Sequence, residues 1–249
     1  MPLINNEESY MNLMDHLLSL QAVTLITTGR TGTDFLQSLL DSHTEVLTFN
    51  GQLYFHDYWR ESKCANVEII NLSDLLDEFI GIHIEKFKSR YDHLERKDCL
   101  GDNGDESVDV DLNLFKLESS KLLVNREITS RNVMLAIYGA YAICLGQNLK
   151  TKKIIFHHIH HVHRIPQFLA DFPDSKIISM TRDPRANFVS GITHWRKYNE
   201  NTDNASHLFF YIKRIIIDAY ALEKFDNKEI SIKIEDLGKK CVLEALCKW

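Results

Sequence analysis

A mostly apolar run, Ala22 to Ile26, breaks into Thr-Thr-Gly-Arg-Thr-Gly-Thr-Asp and then into an amphipathic segment that ends near Asp41. A buried strand, a tight glycine turn and a helix in that order form the unit from which parallel α/β sheets are built. On the helix, Phe35, Leu36, Leu39 and Leu40 make one apolar face, while Asp34, Gln37 and Ser38 point elsewhere. The turn has the place of a Walker A loop but not its pattern. After Gly29 the next glycine is Gly32, and no lysine follows it. The glycines permit close approach, and successive N–H groups at a helix start converge on an anion. Thr31 and Thr33 add hydroxyl donors, and Arg30 adds a permanent charge. The competing reading is an ordinary turn whose polar groups face solvent.

The same rhythm recurs. A helix is expected over residues 10 to 20 and a strand over Glu45 to Phe49, leading into the aromatic segment Tyr-Phe-His-Asp-Tyr-Trp. From Lys152 onward come a short strand (Lys153 to Phe156), a helix (Ile165 to Asp171) and a strand (Lys176 to Met180). Asp183-Pro184 then caps a helix to about Lys197. A long helix over Leu208 to Phe225 turns Phe209, Ile212, Ile216, Ala219 and Tyr220 inward; a strand over Glu229 to Ile234 and a helix from Leu237 follow. Between these blocks, Ser73 to Phe79 and Ile82 to Tyr91 read as helices, the first capped by Ser73 or Asp74. Lys97 to Asp111 reads as a solvated loop, and Val133 to Gly146 as a buried helix too short to span a bilayer. The expected fold is α/β: a P-loop-like three-layer sandwich with a central, mainly parallel sheet flanked by helices. We expect one domain over 1–249, with a helical and loop insertion at about 60–150.

A net charge of -6 and a pI near 6.0 exclude a general nucleic-acid binder, so any anion is held by a local pocket. Five scattered cysteines without C-x-x-C spacing fit reduced thiols, and the N-terminus lacks the basic and apolar parts of a signal peptide. A cytoplasmic protein is expected. The acidic run from Asp109 fails the EF-hand order at its sixth and twelfth positions.

A second stretch has matching chemistry. In Thr-Arg-Asp-Pro-Arg-Ala-Asn-Phe-Val-Ser, Arg182 ends a strand and Ser190 comes eight residues later, two turns into the helix. Phe188, Ile192 and Trp195 form its core stripe, and Ala186, Ser190 and Thr193 a face of small residues. An arginine fork and a hydroxyl suit a second phosphate group; a capped helix with a surface arginine would look alike.

Together the two stretches resemble the PAPS-dependent sulfotransferases, which use 3′-phosphoadenosine 5′-phosphosulfate. TGRTGTDF resembles that family's 5′-phosphosulfate loop and RDPRANFVS its 3′-phosphate motif, while IPQFLADFPDSK and IKIEDL resemble neighbouring family segments. The resemblance covers about residues 20 to 50 and 152 to 249. It implies PAPS bound by Gly29, Arg30, Thr31, Gly32, Thr33, Asp34, Arg182 and Ser190, transfer to a hydroxyl acceptor such as a carbohydrate, and no metal. The chain departs from the pattern at Arg30, where cytosolic members carry lysine, and at Asp34, which suits the helix dipole but repels phosphate. Asp34 is expected to face away. KCVLEALCKW reads as a helix without a C-cap, so we expect either a chain cut short or a nucleotide contact supplied from elsewhere.

Sulfuryl transfer needs charge stabilisation at the leaving oxygen, for which Arg30 is placed, and a base for the acceptor's proton. Five imidazoles lie within seven residues, His157 to His163. Three readings compete: a zinc pair His157/His161 on a helix, a hydrogen-bonded strand end, or a base. His160 is favoured as the base, with His158 next and His56 a second candidate from the aromatic segment, where Tyr54, Phe55, Tyr58 and Trp59 could stack on an acceptor. Rival functions are a P-loop-like kinase or NTPase, and a non-catalytic nucleotide-binding subunit.

Overall fold

The computed structural model describes residues 7–27, 29–41, 43–88, 109–159, 161–198, 204–222, 229–237 and 239. Helix α1 (Glu7–Ser19) buries Tyr10, Leu13, Met14 and Leu17, an i, i+3, i+4, i+7 stripe, and opens with Glu7 and Glu8 against the helix dipole. Strand β1 (Gln21–Thr27) is buried on both faces after its first residue, as befits the middle of a parallel sheet. Helix α2 (Thr33–Leu40), β2 (Val46–Thr48) and α3 (Phe55–Glu61) follow. Three helices, α4 (Leu72–Ile82), α5 (Leu112–Leu122) and α6 (Ser130–Cys144), occupy the middle of the chain. Then come β3 (Ile154–Ile159), α7 (Ile165–Asp171), β4 (Lys176–Thr181), α8 (Pro184–Tyr198), α9 (Asn204–Leu222) and β5 (Glu229–Lys233).

The five strands form one sheet in the order β2-β3-β1-β4-β5, with every neighbouring pair parallel. Alternate side chains of each strand enter different cores. One face carries Ala22, Ile26, Leu47, Ile155, Ile159 and Ile177 into the larger core, which α1 and α3 to α7 cover. The other carries Val23, Leu25, Phe156, Ile178 and Met180 against Leu36 of α2, with Ile232 and Leu237. This is the expected three-layer α/β architecture. From β1 the chain crosses outward to β2, whereas the later connections run the other way. The strand order therefore reverses beside β1, where sheets of this kind bind ligands at strand C-termini.

Several local expectations need correction. In α2, Gln37 is buried while Phe35 and Leu39 are about half exposed. The amide goes inside because its NH2 donates to the carbonyls of Phe49 (3.1 Å) and Gly51 (2.8 Å). The cap of α4 is Asn71, which accepts from the N–H groups of Ser73 and Asp74. Ile84–Phe87 is a single 3-10 turn rather than part of a helix to Tyr91, and residues 89–108 lie outside the described ones. Strand β3 runs to Ile159, three residues further than expected, because His157 and His158 are both buried in it. On α9, Phe209, Ile212, Ile216 and Tyr220 face outward, and among the described side chains Tyr211 is the buried one; the Ala219 side chain lies outside the described ones. On α8 the buried positions among the described side chains are Asn187 and Gly191, with Phe188 and Ile192 only half-buried and the Trp195 side chain undescribed. Helix α6 is buried along nearly its whole length, as expected.

Candidate active site

The turn after β1 is built from left-handed residues: Gly29 (φ 85°), Arg30 (φ 54°) and Gly32 (φ 85°). Arg30 pays for that conformation with roughly 1 kcal/mol of strain, a cost typical of functional turns. The Thr27 hydroxyl accepts from the Gly29 N–H at 2.8 Å and meets the Thr31 hydroxyl at 2.5 Å, so Thr31 is held inside the loop. Gly32 caps α2, and a Cβ there would lie 2.1 Å from Ile234 Cδ1. The conformation demands glycine at that position, and any side chain there would also have to displace the end of Ile234. Ile234, just beyond β5, thereby closes the loop from one side.

The turn after β4 lies alongside, because β1 and β4 pair in register up to Thr27 and Met180. Asp183 caps α8 by accepting from the Arg185 N–H at 2.9 Å. The Arg185 side chain, with that N–H, holds its carboxyl well below the usual range. The Asp183 N–H donates in turn to Glu235 Oε1 at 3.1 Å, tying the IKIEDL segment to this turn. Hydrogen bonds among the described residues join the two loops. Arg182 Nη1 donates to the Arg30 carbonyl (3.2 Å), Arg30 Nε donates to Ser190 Oγ (3.3 Å), and Asn187 Nδ2 donates to the Gly29 carbonyl (2.9 Å). Asn187 is itself held by the buried Tyr211 hydroxyl.

The histidines divide between the two faces of the sheet. His157 enters the larger core, where Nδ1 meets the Tyr138 hydroxyl at 2.7 Å and the ring stacks on Phe168; burial pushes it well below its ordinary titration. His158 points the other way, toward α2, with Nδ1 2.9 Å from Gln37 Oε1. Since the Gln37 NH2 is engaged by backbone carbonyls, its oxygen accepts and His158 Nδ1 donates, which leaves Nε2 as the basic atom. Burial pushes His158 down to about 4, partly opposed by Asp34, whose Oδ1 lies 3.8 Å away. Asp34 also accepts from Gln52 Nε2 at 3.3 Å. His56 lies on the His157 side, nearly buried, with Nε2 3.1 Å from Asp171 Oδ2.

The chain matches the family model described as Sulfotransferase domain over residues 20–223. The chain belongs to the sulfotransferase family. We found no match among individually curated proteins.

For a sulfotransferase, the structure brings Gly29, Arg30, Thr31, Gly32, Thr33, Arg182 and Ser190 to the C-terminal ends of two neighbouring strands, with Asp34 in the first turn of α2. His158 and His56 stand on opposite faces, and His160 lies outside the described residues. The sequence reading missed Asn187 and Gln37. Both are buried because hydrogen bonds to main-chain carbonyls satisfy them, which helical spacing does not signal.

Among the described residues, one group has metal-ligand spacing: Asp57, His161 and His163, whose ligand atoms lie within 4.8 Å of one another. The donor set fits a metal poorly. Arg164 holds Asp57 Oδ1 at 2.6 Å, His161 Nδ1 lies 3.0 Å from Oδ2, and the two rings stack at 18°. Near-parallel rings do not aim their in-plane nitrogens at one point. Burial works to raise the Asp57 carboxyl, but hydrogen bonds from Arg164 and His161 outweigh it and hold it low. The helical zinc pair His157/His161 is ruled out because His157 sits in a strand, turned into the core. Phe55 and Tyr58 are core residues and cannot stack on an acceptor, whereas Tyr54 remains half-buried beside His161, ring centroids 4.8 Å apart.

Proposed function

We propose that this sulfotransferase moves the sulfuryl group of PAPS to an acceptor hydroxyl, with a carbohydrate as the acceptor class, in the cytoplasm and without a metal. The observation that carries the reading is the convergence of Arg30, Arg182 and Ser190 where the loops after β1 and β4 meet. Two cationic forks and a hydroxyl at the mouths of adjacent strands suit a ligand with two separate phosphate groups better than one triphosphate. We take 1–249 as a single domain in which the segment at about 60–150 is an insertion.

In this reading PAPS supplies the sulfuryl group and a phosphate leaving group. The N–H groups of the Gly29–Gly32 turn and the guanidinium of Arg30 stabilise charge that grows on the leaving oxygen. Arg182 and Ser190 fix the nucleotide through its 3′-phosphate, which aligns donor and acceptor. Arg30 cannot give up a proton, so it acts by charge alone. The acceptor's proton goes to an imidazole: His160, His158 through Nε2, or His56. Gln37 supports the second choice by fixing the His158 tautomer.

The kinase reading requires a lysine and a magnesium-binding hydroxyl after the second glycine, and Thr33-Asp34 stand there instead. The non-catalytic reading predicts nucleotide binding without turnover. Incubating the protein with PAPS and a panel of sugars, phenols and alcohols separates them. Release of adenosine 3′,5′-bisphosphate with a sulfated product supports transfer; binding with no product from any acceptor rejects it.

A further inference from the structure

A small cavity of about 10 Å³ lies on the larger-core side of the C-terminal end of β3, beside the segment that leads into α7. That is room for one water-sized group. Phe55, His56 and Ile159 line its buried part, and Tyr54, Asp57 and His161 the half-buried part. Arg164 also lines it, but its guanidinium is engaged with Asp57. The two charges cancel, so the lining as a whole suits neither an anion nor a cation.

His56 is the residue that the packing does not explain. Its Nε2 faces the Asp171 carboxylate at 3.1 Å, and both Asp171 oxygens also accept from the Ser130 hydroxyl at 2.6 Å. An ionised carboxylate only accepts, so Nε2 must carry the proton. Nδ1 is then the remaining hydrogen-bonding atom of the ring, and it is buried without a partner. Burying such an atom unsatisfied is costly, and a hydroxyl donor would satisfy it.

We infer that this cavity is a subsite for one hydroxyl of an uncharged, polyhydroxylated acceptor, donated to His56 Nδ1, and that Asp171 and Ser130 are positioning residues for His56. Tyr54, half-buried beside His161, also borders the cavity. The inference rests on the sulfuryl-transfer reading for its biological meaning, but its geometry does not depend on it.

The test uses the full chain labelled with 15N in histidine and two-bond proton–nitrogen NMR. Neutral His56 is expected as the Nε2–H tautomer, with an unprotonated Nδ1. Ethylene glycol, titrated to molar concentration, moves that Nδ1 resonance upfield; sodium acetate and ammonium chloride do not. Asp171→Asn presents an amide donor to Nε2, transfers the proton to Nδ1 and abolishes the response to glycol. Ser130→Ala, the second variant should the first not fold, keeps the carboxylate and hence the Nε2–H tautomer, but releases Asp171 from its second tie and weakens the response to glycol. An Nδ1–H tautomer in the parent protein, or an Nδ1 signal unmoved by glycol, overturns the subsite. Binding of adenosine 3′,5′-bisphosphate, measured on the same samples, stays within about twofold in both variants. Failure of the parent protein to bind the bisphosphate, with a normal His56 response, would reject PAPS as the donor and leave the subsite standing.

Discussion

Arg182 Nη1 donates to the main-chain carbonyl of Arg30 at 3.2 Å, so the side chain that ends one strand braces the backbone of the loop that ends its neighbour. A left-handed Arg30 needs such support. Arg182→Ala therefore removes a phosphate ligand and loosens the first loop together. We expect affinity for adenosine 3′,5′-bisphosphate to fall by about 1.5–3 kcal/mol, roughly 10- to 150-fold, the range for a hydrogen bond to a charged group. Calorimetric titration measures it, and unchanged affinity removes Arg182 from the site.

Gly32→Ala tests the closure of the loop by the segment after β5. The new methyl meets Ile234 Cδ1 at 2.1 Å, in a backbone conformation that alanine resists. Strain and overpacking together should cost about 2–4 kcal/mol. Adding Ile234→Ala relieves the clash but not the dihedral strain. Denaturant unfolding should therefore show partial recovery in the double variant; no recovery would mean that Ile234 does not press on the loop.

Asn187→Ala should lower stability by about 1–3 kcal/mol, because it strands the Gly29 carbonyl in a buried place and leaves the Tyr211 hydroxyl the main-chain carbonyl of residue 187 in place of the Asn187 Oδ1 acceptor. Bisphosphate affinity should fall with it, since Asn187 ties α8 to the phosphate loop. Asn187→Asp keeps the acceptor for Tyr211 and loses only the donor to Gly29. If both variants bind the nucleotide normally, the tie has no bearing on the site.

Acid should unfold the protein through its buried histidines. His83, pushed down to about 4 chiefly by burial, and His158, also at about 4, stay neutral in the folded chain where free histidines titrate near 6.5. Between those values the unfolded chain binds more protons, so stability is intact above about pH 6.5 and falls as pH is lowered toward 4. At about pH 5 each ring contributes a loss of roughly 1–2 kcal/mol. Urea midpoints near neutrality and at about pH 5 read the loss. His83→Gln should reduce it; an identical pH dependence would contradict the assignment.

Much of the architecture was legible because β1 and its glycine turn announce a βα unit, and RDPR after β4 announces a second. Their partnership rests on parallel register, which neither stretch encodes alone. What periodicity could not read were helix faces decided by hydrogen bonds. Gln37 is buried because two backbone carbonyls and a histidine satisfy it, and Asn71 caps α4 from a position just ahead of the helical pattern. In α9 apolar residues stand on more than one face, so spacing gave a helix and the wrong side of it. The histidine run was ambiguous for a related reason. A strand sends His157 and His158 to opposite faces, and only their neighbours, Tyr138 on one side and Gln37 on the other, separate a core residue from a candidate base.

The central claim is a site for two separated phosphate groups that needs no metal. Calorimetric binding of adenosine 3′,5′-bisphosphate, beside 5′-AMP and ATP, with and without magnesium, tests it most directly. The account predicts that the bisphosphate binds about tenfold or more tighter than AMP, the worth of one further charged hydrogen bond, and that magnesium makes no difference. Tightest binding by ATP with magnesium would contradict it and return the loop after β1 to the nucleotide kinases.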